Sequence, residues 1–186
     1  MDFTRRAGVL LHPTQLPGAY GRGDLGLEAR VFLDQLASAG VRTWQVLPLG
    51  PPGYGGSPYA ARSAFAGDAA LVSPATLLDE GLLSPRDLTE EPAWPEGAVH
   101  PEAEACRLEL LARAHRTFQS DASAAQRSEL SAFREREAHW LEDFALFEAL
   151  KREHGMRPFW EWEPGLRRLL LPGPRAAAVA ERSSAV

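Results

Sequence analysis

Two short runs near the N-terminus, the first of them continuously apolar, flank a helical pattern of apolar positions. The first run, 8–12, ends at Pro13 and is typical of a buried β-strand. Positions 29, 32, 33 and 36 are then all apolar, and this spacing predicts one face of a helix that Gly40 ends. The second run, 41–49, predicts another strand. A strand, a helix and a strand in this order indicate a parallel βαβ unit.

The second half of the chain follows helical spacing, from residue 101 to residue 155. One apolar stripe contains Leu108, Leu111, His115 and Phe118. A longer stripe contains Leu130, Phe133, Trp140, Leu141, Phe144, Phe147 and Leu150. We expect these aromatic side chains to pack in a core. Gly155 and Pro158 are placed to end the helical region.

These patterns predict an α/β fold in three parts. Residues 1–88 contain the first strands and helix, residues 89–168 form a mainly helical subdomain, and residues 169–186 form an irregular tail. Segment 89–100, which contains Pro92, Pro95 and Gly97, is predicted to be a loop.

Composition and charge exclude several classes of partner. The 186 residues carry a net charge of −5, which argues against a nucleic acid or an anionic membrane as the main partner. No run approaches the roughly eighteen apolar residues that a membrane span needs, and the apolar stretch before His12 is too short for a signal peptide. Cys106 is the only cysteine, so no internal disulfide can form and we expect a reducing, cytoplasmic setting.

The sequence offers little support for a cofactor or a metal ion. Segment 21–26 matches the G-x-G-x-x-G dinucleotide pattern, but it does not directly follow the first predicted strand, and no acid ends the second. The five histidines lack the spacing of metal ligands. We therefore predict no metal, no nucleotide and no other cofactor.

Carboxylates are present, but no catalytic pair stands out. Glycosidic chemistry needs two carboxyl groups about 5–9 Å apart across one sugar bond. Asp24 and Asp68 lie in predicted loops without an evident partner, and the acids of 135–143 are interspersed with arginines in a way that is typical of a solvated, ion-paired face.

The segment with the most suggestive chemistry is 48–59, the tyrosine segment, which follows the second predicted strand. In parallel α/β folds, sites gather at the carboxyl ends of strands. Tyr54 and Tyr59 could cover the apolar faces of sugars, and Ser57 adds a hydroxyl group. A purely structural turn with exposed tyrosines explains the same residues equally well.

Several long motifs in order resemble the amylomaltase-type 4-alpha-glucanotransferases, glycoside hydrolase family 77. The motifs are GVLLHPTQLPGAYG at 8–21, GDLG at 23–26, WQVLPLG at 44–50, GYGGSPY at 53–59, SAFAG at 63–67 and FREREAHWLEDFALF at 133–147, followed by the segment around Trp160 and Trp162. The resemblance runs from about residue 5 to Arg168, the N-terminal portion of such a protein.

The resemblance implies the N-terminal part of a decorated (β/α)8 TIM barrel with an inserted helical subdomain. It implies transfer of α-1,4-glucan segments, including maltooligosaccharides, to an acceptor by a retaining double displacement. The family's catalytic carboxylates belong to later barrel strands, so no catalytic residue is assigned here. Ser57 and Tyr59 match positions near the family's active-site entrance, and Tyr54 matches a tyrosine of a second glucan-binding groove.

This chain departs from the family pattern at three places, all of which bear on glucan affinity. Gly56 replaces a usual acid, Asp68-Ala69 replaces a usual Asn-Pro, and 99–101 replaces a usual Val-Asp-Tyr, which removes a tyrosine near the active site.

Two further expectations follow from the resemblance. The chain alone is expected to be inactive as a transferase, and a non-catalytic α-glucan-binding module is the alternative. Because family-like sequence stops near Arg168, residues 169–186 are expected to reflect a change of reading frame or a premature stop.

Overall fold

The computed structural model describes residues 5–89, 94 and 102–169. Most of the predicted loop 89–100, the family departure at 99–101 and nearly all of the predicted tail 169–186 lie outside the described residues. The helices and strands, in chain order, are β1 (Gly8–Leu10), α1 (Leu27–Ser38), β2 (Thr43–Gln45), α2 (Pro74–Asp79), α3 (Pro85–Thr89), α4 (Ala103–Asp121), α5 (Ala124–Arg136), α6 (Leu141–Glu153) and α7 (Pro164–Leu169).

The two strands pair in parallel, as predicted. Val9 lies opposite Trp44 in the register, and helix α1 connects the strands. The indole Nε1 of Trp44 donates a 2.8 Å hydrogen bond to the Leu11 carbonyl, which extends the pairing past the end of β1. The Trp44 ring also meets Phe32 of α1 edge to face, with ring centroids 5.2 Å apart. This contact holds the helix against the strands.

The prediction that the first strand is buried was wrong for this chain. Leu10 is 57% exposed, and both strands show an exposed, half-buried, exposed pattern. The sheet of the described residues has two strands, so much of its apolar surface has no neighbour. A closed barrel is not visible in this part of the chain.

Helix α1 ends where the sequence predicts. Gly40 has a φ of +73°, and its N–H donates to the Ala37 carbonyl at 3.0 Å, which is the usual role of glycine after a helix. The predicted apolar face is only partly covered, because Ala29 is buried whereas Leu33 is 47% exposed.

A compact unit that ends at Arg127 contains both strands and helix α4. Its apolar core consists of Leu83, Leu110 and Ala114, with leucines of the α2–α3 region packed around them. The buried residues of α4 are Ala103, Arg107, Leu110 and Ala114. The predicted stripe of this helix was therefore wrong: His115 is exposed, and the chain turns a charged residue, Arg107, inward.

A second compact unit begins at Ser128, and its core is formed by Leu150, Trp162 and Leu166. The longer predicted stripe does not lie on one helix, because a turn at 137–140 separates α5 from α6. Gly155 follows α6 with a φ of +63°, as expected of a residue that ends a helix. The division between Arg127 and Ser128 falls inside α5, whereas the domain boundaries predicted after residues 88 and 168 stay predictions.

Candidate functional site

Two loops leave the carboxyl ends of the paired strands and enclose a cavity. We call residues 11–26 the first loop and residues 46–68 the second loop. The cavity has a volume of about 540 Å³. Its lining comes mainly from these loops, with one residue of α4, and consists of Leu10, Leu11, His12, Thr14, Gln15, Arg22, Leu47, Pro48, Gly50, Pro52, Gly56, Pro58, Asp68 and Glu104. The site therefore lies where parallel α/β folds place their ligands.

Backbone hydrogen bonds give the second loop a defined shape. The Asp68 N–H donates to the Leu49 carbonyl at 2.7 Å and closes the base of the loop, and the Arg62 N–H donates to the Pro51 carbonyl at 2.9 Å. The Arg62 guanidinium also donates to the Pro52 carbonyl. A side chain at Gly53 would place its Cβ 1.9 Å from the Ala60 carbonyl oxygen, so glycine is required for this close approach.

The predicted binding residues divide into two groups. Tyr54 is 98% exposed and Tyr59 is 74% exposed, and neither ring belongs to the cavity lining. Ser57 is partly buried between Gly56 and Pro58, which do line the cavity. The loop thus presents two aromatic rings to solvent beside the cavity. Whether they contact a glucan stays a prediction.

Packing explains the glycine-rich segment 21–26. A Cβ at Gly23 would lie 2.2 Å from the Pro13 carbonyl oxygen, because this segment passes directly over the start of the first loop. Gly21 has a φ of +75°. These glycines permit close contact between two backbone segments, which accounts for the motif without a bound dinucleotide.

A buried arginine that the sequence patterns missed fixes this segment. Arg107 of α4 is 1% exposed, and its Nη1 donates to the Asp24 carboxylate at 2.8 Å. Its guanidinium also donates to the carbonyls of Arg22, at 2.5 Å, and Val72, at 3.3 Å. Burial lowers the pKa of Arg107, and the hydrogen bond that its guanidinium donates to Asp24 opposes that change. The available signal was an arginine on the apolar side of a helix, which requires a buried partner.

Arg22 connects the two loops through charged contacts. Its side chain is buried, with Nη2 3.2 Å from the Asp68 carboxylate and Nη1 3.6 Å from that of Glu104. Asp68 and Glu104 both line the cavity, but the same guanidinium holds both. They are therefore engaged as a structural ion-pair network rather than presented as an acid and a nucleophile across a sugar bond.

His12 is the histidine of the cavity wall. Its Nδ1 lies 2.9 Å from the Thr14 hydroxyl oxygen, and its Nε2 is buried. Burial lowers the pKa of His12; the Pro48 carbonyl opposes this effect, and the charge of Arg22 adds to it. The imidazole is thus favoured in its neutral form.

The acid-rich part of the helical region is solvent-exposed, as predicted. The side chains of Arg134 and Glu142 are 58% and 59% exposed and form an ion pair of 2.7 Å. Within residues 5–89, 94 and 102–169, no three His, Cys, Asp or Glu residues are grouped so that they could hold a metal ion. In the same residues no helix is both long and apolar enough to cross a membrane.

Sequence comparisons with known proteins show which family this chain resembles. The sequence model of glycoside hydrolase family 77, described as 4-alpha-glucanotransferase, matches residues 11–184. The expectation that family-like sequence stops near Arg168 was therefore wrong, because the match continues through most of the predicted tail. The 4-alpha-glucanotransferase of Thermus thermophilus is 49% identical over 169 residues, which are 90% of this chain and 33% of that protein. The enzyme of the same name from Aquifex aeolicus is 42% identical and is covered over 32% of its length.

A solved structure shows the same relationship in three dimensions. The amylomaltase from Streptococcus agalactiae in complex with acarbose superimposes with a TM-score of 0.76 at 33% identity. The superposition covers 86% of this chain and 32% of that one. The chain spans about a third of the length of the curated relatives it matches. With a family match over most of its residues, this chain belongs to the 4-alpha-glucanotransferases of glycoside hydrolase family 77.

Proposed function

We propose that this chain contributes a glucan-binding surface to the transfer of α-1,4-glucan segments onto an acceptor glucan or glucose. The observation that carries the proposal is the second loop, whose two exposed tyrosine rings stand beside a cavity at the carboxyl ends of paired parallel strands. Family membership supplies the reaction class.

The chemistry of the loop suits a polyhydroxylated ligand. The ring of Tyr59 or Tyr54 offers an apolar face to a pyranose, and its hydroxyl group can exchange hydrogen bonds with sugar hydroxyls. Ser57 lies between them at the edge of the cavity and offers one more hydroxyl. The backbone hydrogen bonds of the loop keep these groups in place before a ligand arrives, which reduces the entropy lost on binding.

The relatives add support for a sugar ligand. The Streptococcus agalactiae amylomaltase was solved in complex with acarbose. In the proposed reaction the two catalytic carboxylates come from outside the residues described here, as the family resemblance implies. The reaction is a retaining double displacement that proceeds through a covalent glycosyl-enzyme. This chain's part is to hold and orient the glucan.

A cytoplasmic setting belongs to the same proposal. The sequence has a single cysteine, Cys106, and therefore gains nothing from an oxidising compartment.

The proposal is tested by calorimetric titration of maltoheptaose into the 186-residue chain and into Tyr54→Ala and Tyr59→Ala. Each substitution removes a ring and is expected to weaken binding by about 1 kcal/mol. Trp160→Ala is the matched control, because Trp160 is a large aromatic residue that is 63% exposed and lies outside the second loop. Equal affinity of all four proteins for maltoheptaose would show that the tyrosine segment is only structural.

A further inference from the structure

Arg22 and Asp68 join the glycine-rich segment to the base of the second loop. We infer that this ion pair positions the tyrosines that bind glucan in the proposed function, on which this inference rests. Both side chains line the cavity and are engaged by protein groups. The pair acts by fixing the end of the segment that carries Tyr54 and Tyr59.

Asp68 makes three polar contacts at the point where the second loop closes, one through its backbone N–H and two through its carboxylate. Its N–H donates to the Leu49 carbonyl at 2.7 Å. One carboxylate oxygen accepts from the Ala70 N–H at 3.0 Å, and the other lies 3.2 Å from Arg22. A shift of this side chain would therefore disturb the backbone hydrogen bond that ends the loop.

Arg22 is itself held in place, so it can serve as a fixed reference. Its carbonyl accepts a hydrogen bond from the buried Arg107, and the next residue, Gly23, donates to the Thr14 carbonyl at 3.2 Å. Its side chain is 9% exposed, which leaves it few alternative positions. The path from α4 to the tyrosine segment thus passes through contiguous, buried contacts.

The burial of both partners predicts strong coupling between them. The Asp68 side chain is only 10% exposed, so removal of the Arg22 charge leaves the Asp68 carboxylate desolvated and without this cation. Removal of the Asp68 charge leaves the buried Arg22 with Glu104, at 3.6 Å, as its remaining ion-pair partner. Replacement of both charges by amides removes that penalty, and an amide pair can still form a hydrogen bond. The family that this chain resembles usually has asparagine at position 68. An asparagine cannot form an ion pair with Arg22, so the ion pair depends on the aspartate that this chain has there.

The test is a double-mutant cycle on the 186-residue chain with Arg22→Gln, Asp68→Asn and the double variant. Two quantities are measured: affinity for maltoheptaose, and the rate at which trypsin cuts after Arg62, the only basic residue of 49–68. We expect each single substitution to weaken binding about five- to tenfold and to speed that cut. The double variant should lose less than the product of the single losses, and Arg22→Lys should retain part of the affinity.

The exposed Arg134–Glu142 pair provides a matched control. Arg134→Gln and Glu142→Gln should alter neither maltoheptaose affinity nor cleavage after Arg62. The inference is overturned by the following result. Arg22→Gln and Asp68→Asn lower the melting temperature, but at temperatures below the unfolding transition both variants bind maltoheptaose and resist cleavage after Arg62 as well as the unaltered chain does. Failure of the unaltered chain to bind maltoheptaose would count against the proposed function, and the cleavage rates would then decide on their own whether the pair anchors the loop.

Discussion

At the scale of single residues, the cavity wall combines a neutral imidazole with a buried guanidinium. His12 and Arg22 both line the cavity, and the pKa of His12 is lowered mainly by burial and further by the positive charge of Arg22. This arrangement links the protonation of His12 to the stability of the first loop.

The folded chain is expected to lose stability through His12 as the pH falls. Because the folded-state pKa of His12 is below its ordinary value of 6.5, the unfolded chain binds the proton more readily. The free energy of unfolding should therefore be unaffected by this group above that value, and should fall as the pH drops toward the folded-state pKa.

The measurement compares urea unfolding of the unaltered chain and of His12→Gln at pH 8 and pH 5. Loss of stability between the two conditions should be smaller in His12→Gln. His115→Gln, which changes an exposed histidine, should behave as the unaltered chain does. Identical pH profiles for His12→Gln and the unaltered chain would contradict the assignment.

At the scale of elements, α4 contributes a buried charge to the site in addition to the apolar side chains that it contributes to the core. Arg107 reaches from this helix to Asp24 and to two backbone carbonyls near the cavity. The helix thereby joins the glycine-rich segment to the turn around Val72. Helix α4 is therefore connected to the loops around the cavity and not only to neighbouring helices.

Arg107→Met should cost about 3–5 kcal/mol of the free energy of unfolding, because it leaves the Asp24 carboxylate without its cation. The combination of Arg107→Met with Asp24→Asn should recover a substantial part of that loss. Urea denaturation provides the measurement.

The control for this experiment lies on the same helix. Arg116 is 63% exposed and pairs with Glu109, so Arg116→Met should change stability by no more than about 0.5 kcal/mol. A loss in Arg107→Met as small as that in Arg116→Met would show that the buried pair does not hold the element in place.

At the scale of the whole molecule, the described residues form two compact units with separate cores. The first unit contains the sheet, the cavity and the second loop, and the second unit contains the Trp162 core. The sheet carries exposed apolar side chains such as Leu10. The chain matches about a third of the length of its relatives.

The 186-residue chain by itself is expected to show no glucanotransferase activity. The carboxylates that line its cavity, Asp68 and Glu104, are both paired with Arg22, and binding that is equal in ground and transition states does not accelerate bond cleavage. Incubation with maltotriose should yield neither glucose nor longer oligomers, with the Thermus thermophilus enzyme as positive control. Disproportionation by the pure chain would refute this expectation.

The sequence by itself determined the family, the parallel pairing of the first two strands and the helix ends at Gly40 and Gly155. These features depend on local or strongly patterned information: a glycine with positive φ ends a helix wherever the chain folds, and long motifs in order identify a family. Ser57 and the two tyrosines were predicted from the same kind of information, as a distinctive segment after a strand, and their contact with a glucan stays a prediction.

Only the tertiary structure decided how the loops are joined. Arg107, Asp24, Arg22 and Asp68 are separated by up to 85 positions along the chain, and no periodicity relates them. The burial of a charge depends on which partner the fold brings within hydrogen-bond distance, and a helical pattern of apolar residues carries no information about that. For the same reason the buried face of α4 was misplaced, since the residue that decides it is an arginine. The exposure of Leu10 likewise depends on which neighbours cover the sheet, and the local sequence of a strand does not specify them.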